Sequence, residues 1–103
     1  MREMLQFYVD GKWVDPVTPE TLDVINPATE EVCGRISLGS AADVDLAVAA
    51  ARRAFASYSQ TTREERMQLL QSILDEFAKR HDDVAEAIMD EMGAPWGLAR
   101  KAQ

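Results

Sequence analysis

The residue types in this chain that most invite catalytic or metal chemistry are one cysteine, one histidine and several pairs of adjacent carboxylates. Cys33 lies in a strand-like run, with Arg35 as its only basic neighbour and no histidine near it in sequence. A thiolate nucleophile needs an exposed, electropositive site such as a helix N-terminus, so Cys33 reads as a structural or surface thiol. His81 falls between two helical segments beside Asp82 and Asp83. A zinc-type site needs further His or Cys ligands at short spacing, so His81 reads as an interhelical surface histidine. The pairs Glu64-Glu65, Asp75-Glu76, Asp82-Asp83 and Asp90-Glu91 invite a general acid and base reading. Neighbouring helix residues point about 100° apart, so each pair diverges and reads as a solvated face. Gly34 and Gly39 do not make a dinucleotide-binding G-x-G-x-x-G, and there is no phosphate-cradling G-x-x-x-x-G-K-[ST]. No nucleophile, base and anion cradle come together, and the chain on its own is expected not to catalyse.

The elements that position these residues fall into two parts, strands and a hairpin over 1–39 and a helical segment over 40–103. Leu5–Val9 and Lys12-Trp13-Val14 flank Asp10-Gly11, a two-residue hairpin signal, since a type I′ turn needs positive φ at both positions. Asp15-Pro16 and Thr18-Pro19 break the ladder. A strand Leu22–Ile25 ends at Asn26-Pro27, and a second runs from Val32 to Leu38. Ser40 with Asp43 resembles a capping box and opens a helix of about 16 residues whose stripe is Val44, Ala47, Val48, Ala51 and Phe55. Thr62 and Glu65 form a full capping box for a second helix with the stripe Met67, Leu70, Ile73, Leu74 and Phe77, widened by Leu69. A third starts near Asp82 and ends at Gly93, a left-handed cap, with Pro95 blocking continuation. A fourth begins at Trp96 and runs to Ala102. Trp13, Phe7, Tyr8, Phe55, Tyr58 and Phe77 are assigned to the core.

Over its 103 residues the chain is 47% hydrophobic with a net charge of −7, which predicts an ordered chain with a modest core. Nucleic acid is excluded as a partner because no cations cluster to displace counterions. No apolar run approaches the roughly 20 residues of a membrane span, and no signal-peptide core follows Met1. A single cysteine fits a reducing cytoplasm. The last helix meets Gln103 without a cap or a polar tail, so the expectation is a chain cut inside a larger fold. Such a chain would expose apolar helix faces and strand edges, which favour association.

The order of segments resembles the opening of the aldehyde dehydrogenase superfamily. The resemblance rests on Phe7–Trp13, Val24–Val32 with its Asn26-Pro27, Gly39–Asp45, Ala47–Phe55, Arg63–Arg66 with Leu69-Leu70, and Glu91-Met92-Gly93-Ala94-Pro95. It covers the chain from about Phe7 to Gln103. It implies an α+β piece, a β-hairpin and short strands followed by three to four helices, of an α/β parent with a Rossmann-like cofactor domain. This piece would be the first part of that domain. The parent would be an NAD(P)-dependent enzyme oxidising an aldehyde to a carboxylic acid, in the cytoplasm and as a homo-oligomer. In that family a cysteine thiolate attacks the aldehyde, hydride passes to the nicotinamide, and a glutamate-activated water releases the thioester. The residues with those roles lie beyond the point matching Gln103, so no catalytic or cofactor-binding role is carried onto this chain, and Cys33 stands where the family has an aliphatic strand residue. The resemblance implies one further role. Some members bind a monovalent cation at positions matching Val24, Ile25 and Glu91, through oxygen donors that suit a hard cation. Ala94 and Tyr58 depart from the common lysine and tryptophan, which leaves the substrate subfamily open. The alternative reading is a stand-alone, non-catalytic helical interaction module.

Overall fold

The computed structural model describes residues 1–101. Ala102 and Gln103, on which the expected end of the fourth helix and its missing cap rest, lie outside the described residues. The elements are β1 (Arg2–Met4), β2 (Phe7–Val9), β3 (Lys12–Val14), β4 (Thr21–Ile25), β5 (Val32–Ser37), α1 (Ala41–Tyr58), α2 (Arg63–Lys79), α3 (His81–Met92) and α4 (Trp96–Lys101). No described helix is long and apolar enough to cross a membrane. Two compact units form, Met1–Val24 with Val32–Gln60, and Ile25–Glu31 with the chain from Thr61 onward.

In the first unit β2 and β3 pair antiparallel with Phe7 opposite Val14, Tyr8 opposite Trp13 and Val9 opposite Lys12. Asp10 and Gly11 take φ of 55° and 77°, the double left-handed geometry that a type I′ turn requires. Tyr8 and Trp13 meet edge to face, with ring centroids 5.2 Å apart. β1 has no counterpart in the sequence reading. Arg2-Glu3-Met4 shows no apolar alternation, yet it lies parallel to β5 with Arg2 opposite Gly34, and the three-stranded order is β1-β5-β4. A Cβ at Gly34 would approach the Arg2 carbonyl oxygen to 3.3 Å. Asp23 accepts a 2.7 Å bond from Arg35 Nε, which adds a side-chain tie between β4 and β5.

Helix starts follow the local chemistry. Asp43 accepts from the Ser40 backbone N–H at 2.8 Å while its own N–H donates to Ser40 Oγ at 3.4 Å. The shorter Asp thus completes the box that Glu or Gln more often makes. In α2 the same exchange joins Thr62 and Glu65 at 2.6 and 3.1 Å. α3 begins at His81, one residue before the expected start, because Arg80 serves as the C-cap of α2 and the N-cap of α3. Gly93 ends α3 in the left-handed region with φ 69°, its N–H donating to the Met89 carbonyl.

Burial departs most from expectation. Among the described residues the buried apolar ones are Ala50, Ala85 and Ala99, far less than the modest core that composition suggests. α1 meets the hairpin on a face that overlaps its expected stripe only at the alanines. Ala47 and Ala51 of that stripe, with Ala50 and Ala54, lie in the groove beside the hairpin tip at Tyr8–Gly11, whereas Val44, Val48 and Phe55 stay exposed. Alanines let the hairpin backbone approach, and no described element covers the larger side chains. Tyr8, Trp13, Tyr58 and Phe77 are likewise exposed, not core.

Candidate functional site

The turn after β4 is built by its own polar groups. The Asn26 side chain accepts from the Ala28 N–H at 2.8 Å, and the Asn26 backbone exchanges bonds with Glu30 and Glu31 at 2.8 and 2.9 Å. Glu30 takes φ 62° to close it, a conformation that costs a non-glycine residue energy. Pro27 then stands against the end of α3: a Cβ at Gly93 would come within 2.9 Å of Pro27 Cγ. Glycine is required at 93 twice over, by the positive φ and by this approach.

The candidate cation residues flank that contact in sequence. Ile25 closes β4 two residues before Pro27, and Glu91 lies exposed on the last turn of α3, two residues before Gly93. Val24, half-buried, offers a carbonyl that already accepts from the Cys33 thiol at 3.4 Å. Carbonyl and carboxylate oxygens are the donor set a hard cation takes. Among the described residues no cluster of three or more His, Cys, Asp or Glu could hold a metal, so any ion here would depend on backbone oxygens.

The other groups singled out for chemistry are engaged structurally. Cys33 is half-buried in β5, its thiol donating to the Val24 carbonyl. His81 sits edge-on to Phe77 at 5.9 Å, with Nδ1 3.7 Å from Asp82. Arg100 donates to Asp82 at 2.7 Å and holds that carboxyl below the usual range, helped by His81. Glu65 turns back to its cap, Asp75 accepts from Gln71 and Glu76 from Lys79. The adjacent carboxylates therefore diverge, as helix geometry requires.

One feature had no signal in the sequence, a cavity of about 180 Å³ between the hairpin and α1, lined by Phe7, Val9, Val14 and Leu46 with Asp10, Lys12, Asp15, Asp43 and Arg53. Its polar groups are also in use. Arg53 pairs with Asp10 at 3.3 Å, and Asp15 accepts from Gln6. Asp43 accepts from the backbone N–H of Ser40, the N–H of Val17 and the Ser40 hydroxyl, which together hold its carboxyl below the usual range. Such an arrangement holds a hairpin onto a helix; it does not activate a nucleophile.

Comparison with known proteins settles the family. The model of the aldehyde dehydrogenase family matches residues 13–103. This chain belongs to the aldehyde dehydrogenase family. It is 50% identical over 95 residues to the 3-succinoylsemialdehyde-pyridine dehydrogenase of a Pseudomonas species, covering 92% of this chain and 20% of that protein. The crystal structure of an aldehyde dehydrogenase from Bartonella henselae superposes with a TM-score of 0.97 at 45% identity, over 99% of this chain and 21% of that one. Aldehyde dehydrogenase C of Pseudomonas syringae, solved with NAD+ and octanal, gives 0.90 at 49% identity, over 92% of this chain and 20% of that one. The strands and helices described above are thus those of a segment of an aldehyde dehydrogenase, a family whose fold includes a Rossmann-like cofactor domain. The chain spans about one fifth of the length of the curated relatives it matches.

Proposed function

We propose that this chain is the N-terminal part of an NAD(P)-dependent aldehyde dehydrogenase that oxidises an aldehyde to a carboxylic acid. The observation that carries the reading is the superposition on family structures over nearly the whole chain, together with a relative that binds NAD+ and an aldehyde. Within the parent this stretch is scaffold: the hairpin, sheet and helices buttress the cofactor domain, while the thiolate, glutamate and cofactor contacts come from the rest of the polypeptide. A cytoplasmic, homo-oligomeric parent belongs to the same reading. So does a monovalent cation held by the Val24 and Ile25 carbonyls with Glu91. The packing of Pro27 on Gly93 supports that placement, because it fixes the turn after Ile25 against the helix end that carries Glu91.

The test joins residues 1–103 to the remaining four-fifths of the Pseudomonas syringae enzyme in one chain and follows NADH formation with octanal. An active chimera is the expected result; a folded chimera that does not reduce NAD overturns the reading. The 103-residue chain alone, given NAD, NADP and a panel of aldehydes, should show no turnover, and turnover would remove the scaffold role.

A further inference from the structure

The tip of the β2–β3 hairpin carries a peptide bond open to rearrangement. Asp10-Gly11 is the one Asp-Gly or Asn-Gly pair in the sequence, and both residues are exposed. Glycine has no Cβ to shield its backbone nitrogen, and nothing lies within 4 Å of where one would stand on Gly11. Asp10 is one of two non-glycine residues with positive φ among the described residues, so opening of the turn releases strain there. We propose that Asp10-Gly11 is a site of spontaneous backbone isomerisation to isoaspartate, slowed by the Arg53 tether from α1. The reaction needs water alone. The Gly11 nitrogen attacks Asp10 Cγ; a Cγ–N bond forms and a carboxyl Cγ–O bond breaks. The oxygen leaves as water with the carboxyl proton and the Gly11 amide proton, closing a succinimide ring. Water then opens that ring. Addition at Cγ breaks the new bond and restores aspartate, whereas addition at the Asp10 main-chain carbonyl carbon breaks the original peptide bond and leaves isoaspartate. Nothing is oxidised or reduced, and the product keeps the mass and the single carboxylate of the parent.

Two features of the fold restrain the site. The succinimide ring fixes the Asp10 Cα–C torsion outside the range of a type I′ turn, so reaction waits for local opening of the tip. Arg53 Nη2 donates to Asp10 Oδ2 at 3.3 Å. The carboxyl is thereby held toward α1 and must let go before Cγ turns to the Gly11 nitrogen. The two side chains of this pair are 64% and 55% exposed. Exposed pairs are weak, so the tether slows the reaction by a small factor, about threefold. The product has a larger effect on the fold. Isoaspartate routes the main chain through Cβ and Cγ and adds an atom to the turn. Hairpin register follows loop length, so the pairing of Val9 with Lys12 and of Tyr8 with Trp13 no longer matches the turn. The tip that lies beside the α1 alanines is then unseated.

The experiment ages the 103-residue chain and its Arg53→Gln variant at neutral pH, with the fold of each verified by circular dichroism. Samples are digested with an endoprotease that cuts before aspartate but not before isoaspartate, and the peptides are separated and weighed. Isoaspartate is expected at residue 10 ahead of every other aspartate, and Arg53→Gln should accumulate it about threefold faster. Added salt screens an exposed pair, so it should bring the unsubstituted chain up to the rate of the variant and leave the variant unchanged. In urea the two chains should react at one common rate, faster than the folded chain, because the turn is then open. Residue 10 remaining aspartate while other aspartates convert overturns the site. Equal rates for the two folded chains, or a difference that persists in urea, overturn the tether. The isoaspartyl form, once separated, should unfold at a lower urea concentration than the parent; an unchanged midpoint overturns the unseating of the hairpin.

Discussion

Replacing Gly93 by alanine isolates the contact that fixes the turn after β4 against α3. The left-handed φ of 69° at this position costs an L-residue about 1 kcal/mol. An added Cβ lies 2.9 Å from Pro27 Cγ, well inside the carbon–carbon optimum of about 3.5–4.0 Å. The ring belongs to a turn already tied by Asn26, so it yields little, and overpacking of this kind costs about 2 kcal/mol. Alanine also restricts the unfolded chain, which returns about 0.5 kcal/mol. The expected net loss is about 2.5 kcal/mol, read from urea unfolding followed by circular dichroism. Gly11→Ala is the internal reference: φ is 77°, but nothing lies within 4 Å of the new Cβ, so only the strain remains and the loss is about 0.5 kcal/mol. Pro27→Ala removes Cγ and should recover most of the difference, with an interaction energy of about 1.5 kcal/mol in the double-mutant cycle. Equal losses for Gly93→Ala and Gly11→Ala, or no recovery with Pro27→Ala, would refute the close approach as the reason for glycine.

Thr62→Ala removes the hydroxyl that accepts from the Glu65 N–H and leaves the backbone half of the α2 capping box in place; it should lower stability by about 1 kcal/mol, measured by thermal unfolding, and an unchanged midpoint would show that this cap bond is not stabilising α2. The carboxyls of Asp43 and Asp82 are held below their ordinary value of 3.8 by their hydrogen bonds. Their contribution is therefore present above that value and lost as the pH falls below it towards the folded-state values. Asp43→Asn with Asp82→Asn should flatten the acid limb of the stability curve below about pH 4, and an identical limb would contradict the roles given to both.

What could be read in advance was local. Asp10-Gly11, Thr62 with Glu65, and Gly93 before Pro95 each set the backbone within a few residues, and each element begins or ends where its turn or cap chemistry puts it, to within a residue. Two features hidden from the sequence depend on distant partners. β1 pairs with β5 across some thirty residues through backbone groups that leave no side-chain pattern. The Arg53–Asp10 pair that borders the hairpin cavity joins residues 43 positions apart. For the candidate cation residues, periodicity offered nothing, because carbonyl donors are invisible in residue type; only the ordered motifs around Asn26-Pro27 and Glu91–Pro95 pointed to them.

α1 shows why stripe reading misplaced the core. Its expected apolar line and the alanine line beside the hairpin share Ala47 and Ala51 and spread to opposite sides of them, so the helix is apolar over more than one face. A surface helix needs a single such face; a second marks a helix meant to be covered from two sides. In this chain the hairpin tip takes the alanine side, where Ala50 is 6% exposed, and Phe55 on the other side is 68% exposed. The sizes of the side chains explain the division. Alanines admit backbone at close range, whereas valine and phenylalanine offer the larger burial that holds elements together. The same reasoning applies to α2, which has the large stripe and no alanine face in use. Helices with their large apolar side chains turned outward and their small ones turned inward suit a segment whose main stabilising contacts lie with further polypeptide. That fits a chain matching one fifth of an aldehyde dehydrogenase.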